Sequence, residues 1–258
     1  MKKRLIISLL FSTIFMQFGF SQMRENLQEE IDKIIFHDTE ITFNKIPGFV
    51  IGIIYRDSVF IYNYGSTTKD SLNSPNKETI FEIGGLTKVF TASLVNLLVD
   101  EEIMNYDSSF NHYLPLEYQN EMAAHITIND LVIHTSGLPK LPLEFGVKEN
   151  ETNNPYALYT KEDLLNFYKN YTPIVGNSGK YHYSTLNYAL LEVAIEYATR
   201  QSFETVLTEK NFHLLDMQNS CITIDEKQRK KLSCGYTVAG VETPIWQFQS
   251  FAASEGVK

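Results

Sequence analysis

Cysteine and tryptophan are scarce in this sequence, which has two cysteines and one tryptophan among 258 residues. A cysteine-rich disulfide framework is therefore excluded. The two thiols, Cys221 and Cys234, could pair in an oxidising compartment, and two buried free thiols agree with the sequence equally well.

Motifs for metals and phosphates are also missing. None of the six histidines pairs with a second ligand at zinc-site spacing, and neither CxxC nor HExxH occurs. No GxxxxGKS or GxxxxGKT is found, and "GNSG" at Gly176 is typical of a loop rather than of a phosphate-binding turn. The sequence therefore predicts a function without a metal ion or another cofactor.

Positive charge is in the minority. The chain has 22 Lys and Arg against 31 Asp and Glu, which gives a formal net charge of −9. Such an acidic protein is a poor partner for the phosphate backbone of a nucleic acid. We therefore expect no nucleic-acid ligand.

The first residues have the pattern of an export signal. Lys2, Lys3 and Arg4 precede a largely apolar run from Leu5 to Phe20, and the small residue Ser21 marks a cleavage position. The run is short for a membrane span and contains polar residues. Residues 1–21 are thus predicted to be a signal peptide and 22–258 the mature domain, exported to the periplasm or secreted. No cysteine lies nearby for a lipid anchor, so no stable membrane attachment is expected after cleavage.

The mature sequence alternates between helical and strand patterns. Apolar residues at helical spacing from Leu27 to Ile35 predict a helix. Two β-rich runs, Phe49–Tyr55 and Ser58–Tyr64, meet at Arg56-Asp57 and predict a hairpin. Thr127 and Asp130 have the spacing of a capping box. Further helices are predicted over Leu86–Glu101, Lys161–Tyr168, Leu186–Thr199 and Phe203–Phe212.

The stretch "FEIGGLTKVFTASL" (Phe81 to Leu94) has the frame of a catalytic helix. A hydroxyl nucleophile at a helix start is favoured by the free N–H groups there, and a lysine three residues later lies on the same face. Lys88 is that lysine, but the nucleophile position is Gly85. The alternative interpretation of Lys88 is an ordinary surface lysine.

This stretch resembles the serine β-lactamase and penicillin-binding protein superfamily around its S-x-x-K motif. The closest resemblance is to the class C β-lactamase-like branch, which includes D-alanyl-D-alanine carboxypeptidases and esterases. The segments "ITINDLVIHTSGLP", "GKYHYSTLNYALLEVAIEYATRQSFETVLTEKNFHLLDM" and "PIWQFQSFAASEG" are similar to successive parts of the same branch. The resemblance covers nearly all of the mature chain, in the same order.

The resemblance implies roles for four positions. Gly85 stands where the family has its acylated serine, and it retains only the backbone N–H of an oxyanion hole. Lys88 matches the lysine that activates the nucleophile. Tyr183 matches the tyrosine of Y-x-N, a general base or proton relay. Thr185 replaces the asparagine of that motif, which contacts substrate.

The implied fold is α+β and β-lactamase/transpeptidase-like, with a helical region inserted into an antiparallel sheet. The third family motif, similar to K-T-G, is expected beyond Lys258, so the sequence corresponds to the N-terminal two-thirds of such a fold and is incomplete at the C-terminus.

Four positions where the family commonly has glycine carry larger residues here. At a helix end, a non-glycine residue forced to positive φ costs about 1 kcal/mol. The four are Glu102, Glu192, Arg200 and Asp216.

Other hydroxyls are less suited to act as the nucleophile. Thr87 points away from the Gly85 direction on a helix. Ser184 is interpreted as a helix N-cap, and Ser136 as a turn residue.

The family activity implied is hydrolysis of a β-lactam, a D-Ala peptide or a small ester through an acyl-enzyme. Gly85 favours a member with little or no turnover. The alternatives are a non-catalytic protein that binds peptidoglycan fragments or a partner, and a truncated or altered copy.

Overall fold

A computed structural model describes residues 22–38, 41–43, 45–146 and 154–258. The predicted signal peptide, residues 1–21, lies outside this part of the chain. The chain forms two compact units, which are described separately. The first comprises the described part of Met1–Thr79 together with Tyr236–Glu242, and the second comprises Ile80–Gly235 and Thr243–Lys258.

The first unit is a helix packed on a hairpin. Residues 22–33 form helix α1, which continues as a π-helical turn over Ile34–Asp38. Strands β1 (Gly48–Tyr55) and β2 (Ser58–Gly65) pair antiparallel, from Gly48 opposite Gly65 to Tyr55 opposite Ser58. The predicted helix and hairpin are therefore confirmed, with each strand one residue longer than predicted.

The hairpin buries one face, as the two-residue period of a strand requires. Phe60, Tyr62 and Tyr64 alternate along β2 and pack with Ile35 and the apolar side of α1. The Tyr64 hydroxyl donates to Asp32 over 2.7 Å. These contacts fix the register of the hairpin, because a one-residue slip would move all three rings to the other face.

The second unit is helical. A 3₁₀ turn over Gly84–Leu86 leads directly into α2. Helix α5 lies at the centre of this unit. Its own buried residues are found on all sides of the helix. It packs against α2, α3, α4, α6 and α8. The helices are α2 (Thr87–Asp100), α3 (Ile128–Val132), α4 (Lys161–Asn170), α5 (Thr185–Thr199), α6 (Phe203–Leu207), α7 (Glu226–Arg229) and α8 (Ala252–Glu255).

Sequence signals fix most of these boundaries. Thr127 and Asp130 form the predicted capping box at the start of α3. The helix predicted over Phe203–Phe212 is α-helical to Leu207 and then π-helical to Phe212.

No disulfide joins Cys221 to Cys234. In the described ranges, no helix is long and apolar enough to cross a bilayer.

Three of the four residues at positions where the resemblance implies glycine have left-handed backbones. Glu102, Arg200 and Asp216 have φ values of 59°, 57° and 54°. The left-handed backbone predicted at these positions is confirmed. The prediction was wrong for Glu192, because that residue lies inside α5 rather than at a helix end, and its side chain is buried.

Candidate active site

Gly85 is surrounded by three polar atoms from separate parts of the second unit. A Cβ atom at residue 85 would lie 3.2 Å from the Tyr183 hydroxyl, 3.7 Å from Lys88 Nζ and 3.8 Å from Glu255 Oε2. Lys88 lies on α2, Tyr183 precedes α5 and Glu255 ends α8. The three predicted catalytic residues, Gly85, Lys88 and Tyr183, therefore lie next to one another.

The backbone does not require glycine at residue 85. Among the glycines with positive φ is Gly84, at 52°, whereas Gly85 is not one of them. A side chain at Gly85 would therefore have an ordinary backbone conformation, and its Cβ would contact polar groups rather than main chain. The backbone conformation therefore gives no reason for glycine at this position, where a side chain is simply missing.

Lys88 is buried, with 6% of its surface exposed. Its Nζ donates to the Ser254 carbonyl oxygen over 2.9 Å and to Glu255 Oε1 over 2.9 Å. The same nitrogen lies 5.1 Å from the centre of the Tyr183 ring. Burial of a lysine is tolerated where its charge is paired and its donors are satisfied. The alternative interpretation of Lys88 as a surface residue is therefore wrong.

Helix α8 is held in place by α2 and α5. The Thr91 hydroxyl donates to the Ala253 carbonyl oxygen over 2.7 Å, and Val257 N donates to Thr87 Oγ1 over 3.0 Å. From α5, Glu192 Oε2 accepts from Ala253 N over 2.9 Å. These bonds position Ser254 and Glu255 against Lys88. Thr87 is fully buried and engaged in them, which agrees with its rejection as a nucleophile.

Tyr183 lies over a buried histidine. The rings of Tyr183 and His134 are 4.8 Å apart, and His134 Nδ1 accepts from Ser184 N over 3.1 Å. Burial, together with the positive charge of Lys88, lowers the pKa of His134. A neutral imidazole can accept this hydrogen bond, which fixes the backbone beside Tyr183. The tyrosine itself is 44% exposed, so part of the residue faces solvent.

Ser184 and Ser136 have structural roles in this region. Ser184 caps α5, as predicted, by accepting from Asn187 N over 3.1 Å. Ser136 donates to Asn187 Oδ1 over 2.8 Å and accepts from Leu138 N over 3.2 Å. Thr185, the predicted substrate-binding residue, begins α5 with 3% of its surface exposed. It is not among the three atoms nearest to the Gly85 side-chain position.

His134 and Glu255 also belong to this site, although no sequence pattern predicts them there. Glu255 is separated from Lys88 by 167 residues, and no spacing rule joins residues so far apart. In the described residues, no group of three or more His, Cys, Asp or Glu side chains is arranged to hold a metal ion.

Comparison with solved structures shows the fold. A class C β-lactamase superposes with a TM-score of 0.77 at 22% identity, over 91% of this chain and 62% of that one. A β-lactamase/D-alanine carboxypeptidase from Yersinia pestis superposes with a TM-score of 0.70 at 23% identity, over 83% of this chain and 60% of that one. The α+β, β-lactamase-like fold class inferred from the sequence is confirmed.

Sequence comparison shows the family. The Beta-lactamase family model matches residues 36–257, so this chain belongs to that family. A β-lactamase of Providencia stuartii is 26% identical over 81% of this chain and 50% of its own length. Protein flp of Staphylococcus aureus (strain N315) is 29% identical over 87% of this chain and 44% of its own. The chain thus spans about half the length of the curated relatives it matches.

Proposed function

We propose that this protein binds β-lactams, D-Ala peptides or small esters beside Gly85 without forming an acyl-enzyme. The observation that carries the proposal is the convergence of Lys88 and Tyr183 on a residue without a hydroxyl. The activating lysine and the proton-relaying tyrosine of the family are retained in position, while the atom that they would activate is missing. Ligand recognition is therefore kept and turnover through a covalent intermediate is lost.

Each predicted site residue has a part in this proposal. The backbone N–H of Gly85 contributes a donor to the ligand carbonyl, because the first N–H groups of a helix have no partner within it. Lys88 supplies positive charge from the buried side, and the hydroxyl of the partly exposed Tyr183 contacts the leaving side of the ligand. Thr185 occupies the substrate-contacting position of the family motif, and its low exposure makes it the weakest member of the set.

Export completes the proposal. We propose residues 1–21 as a signal peptide and 22–258 as the family domain, acting in the periplasm or outside the cell. Three basic residues before an apolar run support this assignment. The ligands are small molecules or pieces of peptidoglycan, and neither nucleic acid nor a lasting membrane anchor takes part.

Calorimetric titration with benzylpenicillin and with an acyl-D-Ala-D-Ala peptide tests the proposal. We expect reversible binding of at least one ligand, with no increase in protein mass. Lys88→Met should weaken binding by about tenfold or more, because the replacement removes a buried positive charge from the site.

Lys161→Met is the matched control, since Lys161 is also paired with a glutamate, Glu196, over 2.6 Å. It should bind as the unaltered protein does. A folded protein that binds neither ligand, or whose mass rises by one acyl group, would contradict the proposal.

A further inference from the structure

Glu255 gives the site a carboxylate that the nucleophile–lysine–tyrosine frame does not include. Its Oε1 accepts from Lys88 over 2.9 Å. Its Oε2 lies 3.8 Å from the Gly85 side-chain position and 3.4 Å from that of Gly84. One oxygen is therefore used to pair the lysine, and the other faces the reacting region.

Lys88 and Glu255 form an ion pair that is largely buried. The Lys88 and Glu255 side chains are 7% and 22% exposed, so their attraction is only partly screened by solvent. Lys88 already donates to two acceptors and is thus poorly suited to remove a proton, whereas Glu255 is a proton acceptor by nature.

The side-chain position at Gly85 is lined by polar groups of the kind that hold water. The Cβ position of residue 85 is 3.2 Å from the Tyr183 hydroxyl and 3.7 Å from Lys88 Nζ. A water oxygen in van der Waals contact with the Gly85 Cα, about 3.3 Å away, lies beyond the side-chain position and can approach Glu255 Oε2 to hydrogen-bond distance. Two to four polar partners are what an ordered water requires. A serine side chain would fill this space, and glycine leaves it to solvent.

We propose that Glu255, Tyr183 and Lys88 hold a water molecule beside Gly85, and that Glu255 deprotonates it for direct attack on a bound β-lactam or ester. The inference rests on the ligand binding proposed above. It adds an activity to that function: a slow hydrolysis in one displacement, with no covalent intermediate on the protein.

The step balances without another reactant. The water oxygen forms a bond to the carbonyl carbon, and its proton passes to Glu255. Lys88 and the N–H of Gly85 stabilise the negative charge that develops on the former carbonyl oxygen. When the C–N or C–O bond breaks, the leaving nitrogen or oxygen takes the proton from Glu255, with Tyr183 as a relay. Glu255 is then a carboxylate again, and one water has been consumed for each bond cleaved.

Hydrolysis of nitrocefin, a chromogenic cephalosporin, by the purified protein tests this inference. We expect saturable hydrolysis that Glu255→Gln lowers about 100-fold, since a positioned general base contributes about 10² to 10⁴ in rate. The amide can still accept from Lys88, so the fold and the binding measured by calorimetry should persist. Glu255→Asp keeps a carboxylate at a shorter reach and should retain more activity than Glu255→Gln. Intact-mass measurement during turnover should show unmodified protein.

Glu196→Gln is the matched control. Glu196 is another glutamate paired with a lysine, and its side chain is also 22% exposed. This variant should hydrolyse nitrocefin at the unaltered rate. Equal rates for the unaltered protein and Glu255→Gln would overturn the inference, as would a covalent adduct or an Asp variant no better than the Gln variant. If calorimetric binding remained in that case, the proposed function would stand while the water-attack step failed.

Discussion

Gly85→Ser should convert this protein into one that penicillin labels covalently. The new Cβ would lie in an ordinary backbone conformation, 3.7 Å from Lys88 Nζ and 3.8 Å from Glu255 Oε2. Its contact with the Tyr183 hydroxyl, at 3.2 Å, requires that hydroxyl to move by a few tenths of an ångström, which the exposed ring permits. Loss of a catalytic nucleophile in a hydrolase typically costs about 10⁴ to 10⁶ in rate. Restoring it should raise labelling by a fluorescent penicillin from background to stoichiometric.

Gly85→Ala separates the hydroxyl from the side chain that carries it. Alanine adds the same Cβ with the same contacts but offers no oxygen, so it should remain unlabelled while folding like the serine variant. Labelling is measured by in-gel fluorescence and by intact mass, and folding by thermal unfolding. A folded Gly85→Ser protein without label, or equal labelling of both variants, would contradict the assignment of residue 85 as the nucleophile position.

The part of the site that follows from local sequence was predictable. The distance from Gly85 to Lys88 is one helical turn, so their meeting on one face depends only on the presence of a helix. Tyr183 required the family resemblance, because nothing near it in sequence points to Lys88. Glu255 needed the structure, since Lys88 meets it only when α8 packs on α2 and α5. Chemistry that depends on long-range packing leaves no local pattern.

The fold, like the site, has features that local sequence predicts and features that depend on tertiary packing. Periodicity predicted the hairpin and helix α5, because alternating or continuous apolar residues specify which faces are buried. The left-handed residues Glu102 and Arg200 were also predictable, since Arg200 is the C-cap of α5 and Glu102 follows the C-cap of α2. Glu192 lies inside the helix predicted over Leu186–Thr199, but its bond to α8 was not predictable, because that bond depends on tertiary packing. A glutamate where the family commonly has glycine was interpreted as backbone strain, and it is instead a buried link between two helices.

Glu192→Gln should remove a loss of stability that the unaltered protein suffers as pH rises. Burial raises the pKa of Glu192 from 4.5 to about 8, by penalising the charged carboxylate. The folded state thus holds the proton more tightly than the unfolded state. The stabilisation is complete below about pH 4.5 and is lost as pH approaches about 8. The expected slope between these values is about 1.4 kcal/mol for each pH unit.

The glutamine cannot ionise, and its carbonyl oxygen can still accept from Ala253 N. Urea unfolding at several pH values from 5 to 8 should therefore show the variant gaining on the unaltered protein by several kcal/mol in free energy of unfolding. Glu101→Gln is the control, because Glu101 forms a surface pair with Lys210 and its side chain is 44% exposed. Its stability curve should run parallel to that of the unaltered protein. If the curve for Glu192→Gln were parallel too, Glu192 would be ionised in the folded state at neutral pH, and its bond to α8 would be that of a buried carboxylate.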